Sequence, residues 1–299
     1  MLNIQGKTLT YGIIGAPIAH SLSPLFQNHF LKEAKLDACY QAFLVEPEQL
    51  QPKLQTLHDE NIQGLNVTIP HKESVLSWVD TDEDAQIIGA VNTIKRTKKG
   101  WSAINTDWLG FAAVLQGLQA DVSQTSVLLF GAGGTSRAIL HALHHEGGKH
   151  VYICNRNGER AEQLIAEMQA HYPSMDMQKL EWKEASVHEV IHKCGLIINC
   201  TSIGLNDSDI FPFKLSGQGL AIDAVYKRTG ETVFRKAASN YQSVDGLPML
   251  IAQGIASFAF WFAAELDINQ INLPNKQDSL HWVEQQLGRE ALNLPSWRV

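Results

Sequence analysis

The sequence predicts an α/β protein of two domains, each built on a largely parallel sheet, with a cleft between them. Short apolar runs alternate with helical patterns over the first hundred residues and again after residue 125, and this βαβ alternation is typical of parallel sheets. One apolar run passes directly into a glycine-rich loop that begins a helix. The length of 299 residues with 44% apolar content is enough for two hydrophobic cores.

The first part of the chain alternates strands with helices. The predicted strands are Leu9–Gly15, Tyr40–Val45, Gly64–Ile69 and the pair Ala90–Arg96 and Gly100–Asn105, and the predicted helices are Pro24–Ala34, Pro47–Asp59 and Ser74–Val79. Ser23 precedes Pro24 and is expected to be the N-cap of its helix, with the proline at the first helical position. This capping role accounts for Ser23 and leaves Ser21 unexplained.

A second α/β run follows a polar connector. Helix Trp108–Gln116 is predicted before this connector, Ala120–Thr125. After it the predicted strands are Val127–Phe130, His150–Cys154, Leu196–Asn199 and Ala221–Ala224, and the predicted helices are Thr135–His145, Glu159–Ala170 and Ser186–His192. An uncharged apolar stretch, Leu247–Ala264, and an amphipathic helix near Gln277–Leu287 end the chain. Because the apolar stretch has no basic residues at its ends, a buried helix is favoured over a membrane span. The predicted domains are residues 1–107 with 241–299, for substrate and catalysis, and residues 108–240, inserted between them.

Charge and cysteine content argue against several classes of protein. The net charge is −7, with acidic and basic residues mixed along the chain, which argues against a nucleic-acid or anionic-membrane surface. The four cysteines form no CxxC pair and have no histidine at metal-ligand spacing. We therefore expect reduced thiols, a cytoplasmic location and no metal. No motif encodes the oligomeric state, and the expectation is a monomer or a homodimer.

The glycine-rich loop predicts a dinucleotide site in the second domain. The apolar strand ends at Phe130 and continues into Gly131-Ala-Gly-Gly-Thr-Ser136 and a helix. Gly131 permits a tight turn, Gly133 lets the backbone approach a pyrophosphate, and the helix N-terminus offers N–H groups to it. The third glycine position of the Rossmann pattern is Ser136, which is small but not glycine. This unit predicts a Rossmann-type domain.

The residue after the next strand selects the cofactor. An NAD enzyme needs an acidic side chain there for the ribose 2′-hydroxyl, whereas this chain has Asn155-Arg156. A guanidinium suits a 2′-phosphate, so NADP(H) is the predicted cofactor. The alternative is an arginine that is only exposed to solvent at a strand end.

Polar residues follow several strands of the first domain, where α/β proteins build their sites. Asn66-Val-Thr-Ile-Pro-His-Lys72 ends one strand, and Asn105-Thr-Asp107 ends another. Asn92 follows an apolar run, and Ser21 and Ser23 lie at a helix start, where two hydroxyls suit a carboxylate. A lysine and an aspartate held together can pass a proton to or from a substrate hydroxyl, which is worth roughly 10²–10⁴-fold in rate.

Taken together, these motifs resemble the shikimate dehydrogenase family over nearly the whole chain. The resemblance is carried by Ser21-Leu-Ser23, Asn66-Val-Thr-Ile-Pro-His-Lys72, Gly89-Ala-Val-Asn-Thr93, Asn105-Thr-Asp107, Gly131-Ala-Gly-Gly134, Asn155-Arg156, Asn199-Cys-Thr-Ser202, Asp223-Ala-Val-Tyr226 and Gly246-Leu-Pro-Met-Leu-Ile-Ala-Gln253. The family implies the reversible NADPH-dependent reduction of 3-dehydroshikimate to shikimate, a step in aromatic amino-acid (chorismate) biosynthesis.

The resemblance also implies roles for individual residues. Lys72 and Asp107 are the implied catalytic pair, with Lys72 the usual candidate for proton transfer. Implied substrate contacts are Ser21, Ser23 and Tyr226 at the carboxylate, Thr68, Asn92 and Gln253 at the ring hydroxyls, and Asp107. Expected cofactor contacts are Gly131, Ala132, Gly133, Gly134, Thr135, Asn155 and Arg156, with Glu83, Ala224 and Gly246 added by the resemblance alone.

Gln253 lies in an otherwise apolar helix, where an amide without partners costs about 1–3 kcal/mol. A ligand or a structural hydrogen bond to a neighbouring loop must therefore satisfy it. The chain departs from the family in the loop Lys227-Arg-Thr-Gly-Glu-Thr-Val233, which lacks the usual proline, after Trp261, where the usual glycine is absent, and in its longer tail after Leu273.

Two other functions remain open at this point. One is a quinate/shikimate dehydrogenase with broader hydroxy-acid specificity, because the size of the pocket is not readable from the sequence. The other is a non-catalytic NADP-binding sensor. The presence of both Lys72 and Asp107 argues against the sensor.

Overall fold

The computed structural model describes residues 8–298, and the chain divides into two compact units. The first unit contains the residues up to Gly110 together with Ile251–Val283, and the second contains Phe111–Leu250 together with the residues from Glu284 on. Each of two six-stranded sheets belongs to one of these units. The predicted α/β class with two sheets is therefore confirmed.

The first unit is built on a mixed sheet. Its strands are β1 (Leu9–Gly15), β2 (Ala38–Leu44), β3 (Gly64–Val67), β4 (Asp80–Thr81), β5 (Thr93–Thr97) and β6 (Gly100–Ile104), and its α-helices are α1 (Ser23–Glu33), α2 (Leu50–Asp59), α3 (Glu83–Ile88) and the start of α4 (Asp107–Gly117). Pro47–Gln49 and Ser74–Trp78 form short 3-10 helices, the second at the place of the predicted helix Ser74–Val79. The strand order is β2-β1-β3-β5-β6-β4. The strand β1 pairs parallel with β2 and β3, whereas β5 pairs antiparallel with β3 and β6. All of β3 is buried, and it packs in an apolar core with Leu57, Ile94 and Trp101.

The second unit is built on a fully parallel sheet. Its strands are β7 (Ser126–Phe130), β8 (His150–Cys154), β9 (Asp176–Leu180), β10 (Cys194–Asn199), β11 (Leu220–Asp223) and β12 (Gln242–Val244), and its helices are α5 (Gly134–His145), α6 (Gly158–His171), α7 (Glu184–Ile191) and α8 (Val233–Ala237). The order β12-β11-β10-β7-β8-β9, counted from β7, is that of a dinucleotide-binding Rossmann sheet. In such sheets ligands bind at the carboxyl ends of the strands where the order reverses, here between β7 and β10.

The described part of the chain continues with three α-helices, α9 (Leu247–Trp261), α10 (Ala263–Asp267) and α11 (Lys276–Leu287), and a short 3-10 helix, Pro295–Arg298. The predicted buried helix is confirmed in α9, since Ile251, Ile255 and Phe258 are all buried. Among residues 8–298, no helix combines the length and the apolar character needed to cross a membrane.

The tail after α11 lies on the second unit. The indole N–H of Trp297 donates to the carbonyl of Ala113 at 2.8 Å, and the Ser296 hydroxyl donates to the carbonyl of Gln116 at 2.6 Å. The compact units therefore differ from the predicted domains. The prediction assigns all of residues 241–299 to the first domain, whereas residues 241–250 and those from Glu284 on belong to the second compact unit. That functional division stays a prediction.

Candidate active site

A buried network of polar side chains in the first unit joins three strands to α9. Asn66 on β3 is in register with Thr93 on the antiparallel β5. The amide of Asn66 donates to Thr93 Oγ1 at 3.1 Å and to Ser257 Oγ on α9 at 2.9 Å. The Tyr40 hydroxyl on β2 donates to Asn66 Oδ1 at 2.7 Å. Because hydrogen bonds of this kind are strong in a buried setting, the network fixes the strand ends against the helix.

Asn92, which directly precedes β5, connects this network to the predicted catalytic aspartate. Its Oδ1 accepts the backbone N–H of Thr106 at 2.6 Å, and its Nδ2 donates to Asp107 Oδ1 at 2.8 Å. The backbone N–H of Asp107 in turn donates to Asn105 Oδ1 at 2.9 Å. Asp107, the first residue of α4, is thereby held at both its backbone and one carboxylate oxygen.

The other carboxylate oxygen of Asp107 meets Lys72. Lys72 Nζ donates to Asp107 Oδ2 at 2.6 Å, and the two side chains are only 15% and 7% exposed. The backbone around the lysine is fixed, since buried His71 bonds the carbonyl of Val45 at 2.7 Å and Val91 donates its N–H to the Lys72 carbonyl at 2.7 Å. The structure therefore brings the two predicted catalytic residues together. An ammonium and a carboxylate in this geometry can hold and transfer a proton.

Gln253 has internal partners in the same network. Its Oε1 lies 3.2 Å from Asn92 Nδ2 and 3.4 Å from the Thr106 hydroxyl. Ser257 lies one helical turn later on α9 and donates to the Gln253 carbonyl at 3.0 Å. The sequence left open whether a ligand or a structural hydrogen bond satisfies this amide. For its oxygen, the structure shows hydrogen bonds within the protein. Ser257 was missed by sequence reasoning; its spacing of four residues from Gln253 in an apolar helix was the available signal.

The start of α1 differs from the expectation, since Leu22 is the N-cap residue and no side chain caps the helix. The predicted N-cap role of Ser23 is wrong, because α1 begins at Ser23, whose backbone N–H donates to the Ser21 hydroxyl at 3.2 Å. Ser23 is buried against Tyr40: burial raises the pKa of Tyr40 well above its usual range, and a hydrogen bond with Ser23 opposes this only in part. Ser21 and Thr68, which follows β3, are half-buried.

The glycine-rich loop lies at the carboxyl end of β7, at the switch point of the Rossmann sheet. Gly131 has a φ of +113°, and a Cβ there would lie 3.0 Å from the carbonyl carbon of Cys200, which follows β10. The Cys200 N–H donates to the Phe130 carbonyl at 2.7 Å, so this approach cannot widen without breaking that bond. A residue with a side chain would therefore be strained at position 131, both by the positive φ and by the contact with Cys200.

The rest of the loop fits a bound pyrophosphate. A Cβ at Gly133 would meet no atom nearer than Arg160 Nη2, at 3.9 Å, which leaves the space above its backbone open. Gly134 and Thr135 form the first turn of α5, and Ala132 is buried. Ser136, at the third glycine position, is fully buried and its hydroxyl accepts the Gly133 N–H at 3.4 Å. The serine thus supports the loop.

Two arginines lie beyond β8. Arg156 is exposed directly after the strand, and Asn155 Nδ2 donates to the Asn157 carbonyl at 2.8 Å. Asn157 is the N-cap of α6, accepting the Arg160 N–H at 3.1 Å. The guanidinium of Arg160 lies beside Gly133, so it is a second candidate for a cofactor phosphate. Sequence reasoning missed it, although a basic residue one turn after Arg156 was visible.

Three further predicted residues lie together in the second unit. Ala224 and Tyr226 follow β11 and are half-buried. Gly246 donates its N–H to the Val225 carbonyl at 3.0 Å, and a Cβ at Gly246 would lie 2.3 Å from the Ala224 carbonyl oxygen. Glu83, by contrast, is exposed in the first turn of α3 in the first unit, a position where an acidic side chain stabilises a helix.

Asp223, at the end of β11, gives the folded state a pH dependence. Burial raises the pKa of Asp223 from 3.8 to about 6, although Thr232, Val225 and Asn199 donate hydrogen bonds to it. The pKa of Asp223 is higher in the folded than in the unfolded state. The contribution of this group to the free energy of unfolding is therefore complete below about pH 4, and about 3 kcal/mol of it is lost as the pH rises through about 6.

We expect Asp223→Asn to remove this part of the pH dependence. Urea unfolding at several pH values between 4 and 8 measures it. The asparagine oxygen can still accept the N–H of Val225, which lies 3.0 Å from Oδ1 in the wild type. If the free energy of unfolding changed with pH as steeply in the variant as in the wild type, Asp223 would not titrate in this range.

Comparisons with known proteins agree with the resemblance seen in the motifs. A family model described as the shikimate dehydrogenase substrate binding domain matches residues 13–94, and one described as shikimate / quinate 5-dehydrogenase matches residues 113–204. A shikimate dehydrogenase (NADP(+)) from Aquifex aeolicus is 39% identical over 268 residues, which cover 88% of this chain and 94% of that protein.

Solved structures give the same result. The crystal structure of a shikimate dehydrogenase from Aquifex aeolicus matches with a TM-score of 0.80 and 36% identity, over 97% of this chain and 100% of that one. A shikimate 5-dehydrogenase from Thermus thermophilus, in complex with NADP(H) and shikimate, matches with a TM-score of 0.78 and 30% identity, over 93% and 99%. On this evidence the chain belongs to the shikimate dehydrogenase family.

Proposed function

We propose that this protein is an NADP-dependent shikimate dehydrogenase, which reversibly reduces 3-dehydroshikimate to shikimate in aromatic amino-acid biosynthesis. The observation that carries the proposal is the 2.6 Å pair between Lys72 Nζ and Asp107 Oδ2. It lies in a network of neutral donors and acceptors that includes Asn92 and Gln253. Such groups suit a polyhydroxylated ring with a single reacting oxygen.

Lys72 is the proposed proton donor to the oxygen of the 3-dehydroshikimate carbonyl. Bound NADPH supplies the hydride. Asp107 orients the Lys72 side chain through the ion pair, and Asn92 holds the other carboxylate oxygen at 2.8 Å. In the reverse direction Lys72 takes the proton from the hydroxyl. The oxygens of the ring would bind near the amides of Asn92 and Gln253 and the hydroxyl of Thr68, with the carboxylate towards Ser21.

NADP(H) would bind at the carboxyl ends of β7 and β8. The open backbone at Gly133 and the N-terminus of α5 suit the pyrophosphate. Arg156 is the proposed partner of the 2′-phosphate, and Arg160, whose guanidinium lies beside Gly133, adds a second positive charge. Both arginines are exposed, so a phosphate can reach them from solvent.

A substrate panel tests the proposal: shikimate and quinate, each with NADP⁺ and with NAD⁺, followed by absorbance of the reduced cofactor. We expect the highest kcat/KM for shikimate with NADP⁺. A higher kcat/KM for quinate would favour the broader quinate/shikimate dehydrogenase. Absence of turnover with all related hydroxy acids, together with normal NADPH binding, would favour a sensor.

We also propose that the enzyme works in the reducing environment of the cytoplasm. Cys39, Cys154, Cys194 and Cys200 are free thiols. Burial raises the pKa of Cys154 and of Cys194 to about 12, which makes both thiols poor nucleophiles. Recovery of all four thiols in a titration of the protein purified without reductant would support this placement, and a disulfide would contradict it.

A further inference from the structure

The tail after α11 reaches the loop that follows Tyr226 through Arg289. Arg289 Nη1 forms an ion pair with Asp245 Oδ2 at 2.8 Å and donates to the backbone carbonyl of Lys227 at 3.2 Å. The arginine side chain is 16% exposed and that of Asp245 is 2% exposed. One guanidinium nitrogen thus contacts a buried carboxylate and a loop carbonyl at the same time.

Both partners of Arg289 lie next to residues proposed to contact ligands. Asp245 accepts the N–H of Leu247 at 3.1 Å at the start of α9, and it directly precedes Gly246. Gly246 in turn donates to Val225. On the other side, Lys227 follows Tyr226, and its ammonium pairs with Asp207 at 2.6 Å.

The backbone between Ala224 and Lys227 is therefore held at two points. At one, Gly246 bonds the Val225 carbonyl at 3.0 Å. At the other, Arg289 bonds the Lys227 carbonyl at 3.2 Å. The sequence departs from its family in both the loop after Tyr226 and the long tail, and the structure joins these two departures by a hydrogen bond.

We propose that Arg289 is a positioning residue, which fixes the Ala224–Lys227 segment to Asp245 and so orders the ligand contacts of Ala224, Tyr226 and Gly246. The expected change in KM rests on the proposed function, whereas the expected change in the order of the Ala224–Lys227 segment does not. The arginine suits the task because its charge compensates the buried carboxylate of Asp245 while the same nitrogen donates to the loop carbonyl.

The test compares Arg289→Ala and Arg289→Gln with Ser296→Ala in the full chain. Ser296→Ala is the matched control, because it removes a tail hydrogen bond to the Gln116 carbonyl and no contact of the loop. Hydrogen–deuterium exchange over residues 224–231 reports loop order without any reaction. Trypsin cleavage after Arg228, which is exposed, is a second measure of the same loop.

We expect both Arg289 variants to exchange faster over residues 224–231 and to be cut sooner after Arg228. With shikimate and NADP⁺, KM should rise roughly 3- to 10-fold, the effect of losing one hydrogen bond, while kcat changes less than KM. Ser296→Ala should behave like the wild type in all three measurements.

Two results would overturn the inference. One is unchanged exchange over residues 224–231 in both variants. The other is faster exchange spread evenly over the second unit and equal in Ser296→Ala, which would mean that Arg289 only holds the tail. If Arg289→Ala does not fold, Arg289→Gln decides, since its neutral side chain no longer links the buried carboxylate of Asp245 to the loop carbonyl. A wild type inactive on shikimate would refute the proposed function and leave the exchange result valid.

Discussion

Replacing Lys72 with alanine is expected to lower kcat about 10²- to 10⁴-fold while NADPH binding stays close to that of the wild type. The ammonium lies 2.6 Å from Asp107 Oδ2, and it is the member of this pair that can donate a proton to the substrate. The proposed cofactor contacts at the glycine loop and Arg156 belong to the second unit, whereas Lys72 belongs to the first. Steady-state kinetics and fluorescence titration with NADPH measure the two effects separately.

A second variant separates charge from proton transfer. Lys72→Arg keeps a positive charge beside Asp107, but a guanidinium does not release its proton in a protein. We expect it to lose turnover as well. The matched control is Lys183→Ala, which removes a lysine that is 68% exposed and paired with Glu181 at 2.7 Å. Turnover like that of the wild type in Lys72→Ala would remove Lys72 from the mechanism.

The pairing of Lys72 with Asp107 was predictable because strand direction places the relevant residues at one edge of the sheet. Lys72 follows β3 and Asp107 follows β6, so both lie beyond the carboxyl ends of their strands. Asn92 precedes β5, which runs antiparallel to both neighbours, so its amino end lies at the same edge. Polar residues in these three places therefore meet, although they are far apart in sequence.

Other parts of the fold depend on contacts that local patterns do not show. The strands β4 and β12 are too short to show the alternation of apolar and polar residues that predicts a strand. The strand β9 lies at the edge of its sheet and is mostly exposed, and its polar sequence Asp-Met-Gln-Lys-Leu does not show this alternation either. The tail is positioned by bonds of Trp297 and Ser296 to residues about 180 positions earlier. No local pattern in residues 288–297 indicates these contacts.

The wrong N-cap expectation for Ser23 has the same origin. Local capping preference favoured Ser23 as the N-cap, yet the side chain is buried beside Tyr40, which is a tertiary contact. The Ser21 hydroxyl accepts the N–H instead. Ser21, which the local rule left unexplained, is thus the residue whose hydroxyl bonds the first residue of the helix, and its side chain is half-buried.

Replacing Arg156 with aspartate is expected to weaken NADPH binding about 10²-fold and to leave NADH binding nearly unchanged. A hydrogen bond to a charged group contributes about 1.5–3 kcal/mol, and a new carboxylate beside a 2′-phosphate adds repulsion. The side chain is exposed after β8, so the change should not disturb the core. Dissociation constants for both cofactors, measured by fluorescence, give the selectivity ratio directly.

The matched control for the charge reversal in Arg156→Asp is Lys149→Asp. It makes the same change in charge immediately before β8, whereas Arg156 follows the carboxyl end of the same strand. Since ligands of Rossmann sheets bind at the carboxyl ends, the control should change selectivity little. A general effect of net charge would appear equally in both variants. If Arg156→Asp kept the wild-type ratio of NADPH to NADH affinity, Arg156 would be an exposed strand-end residue, and Arg160, beside Gly133, would become the candidate for the phosphate.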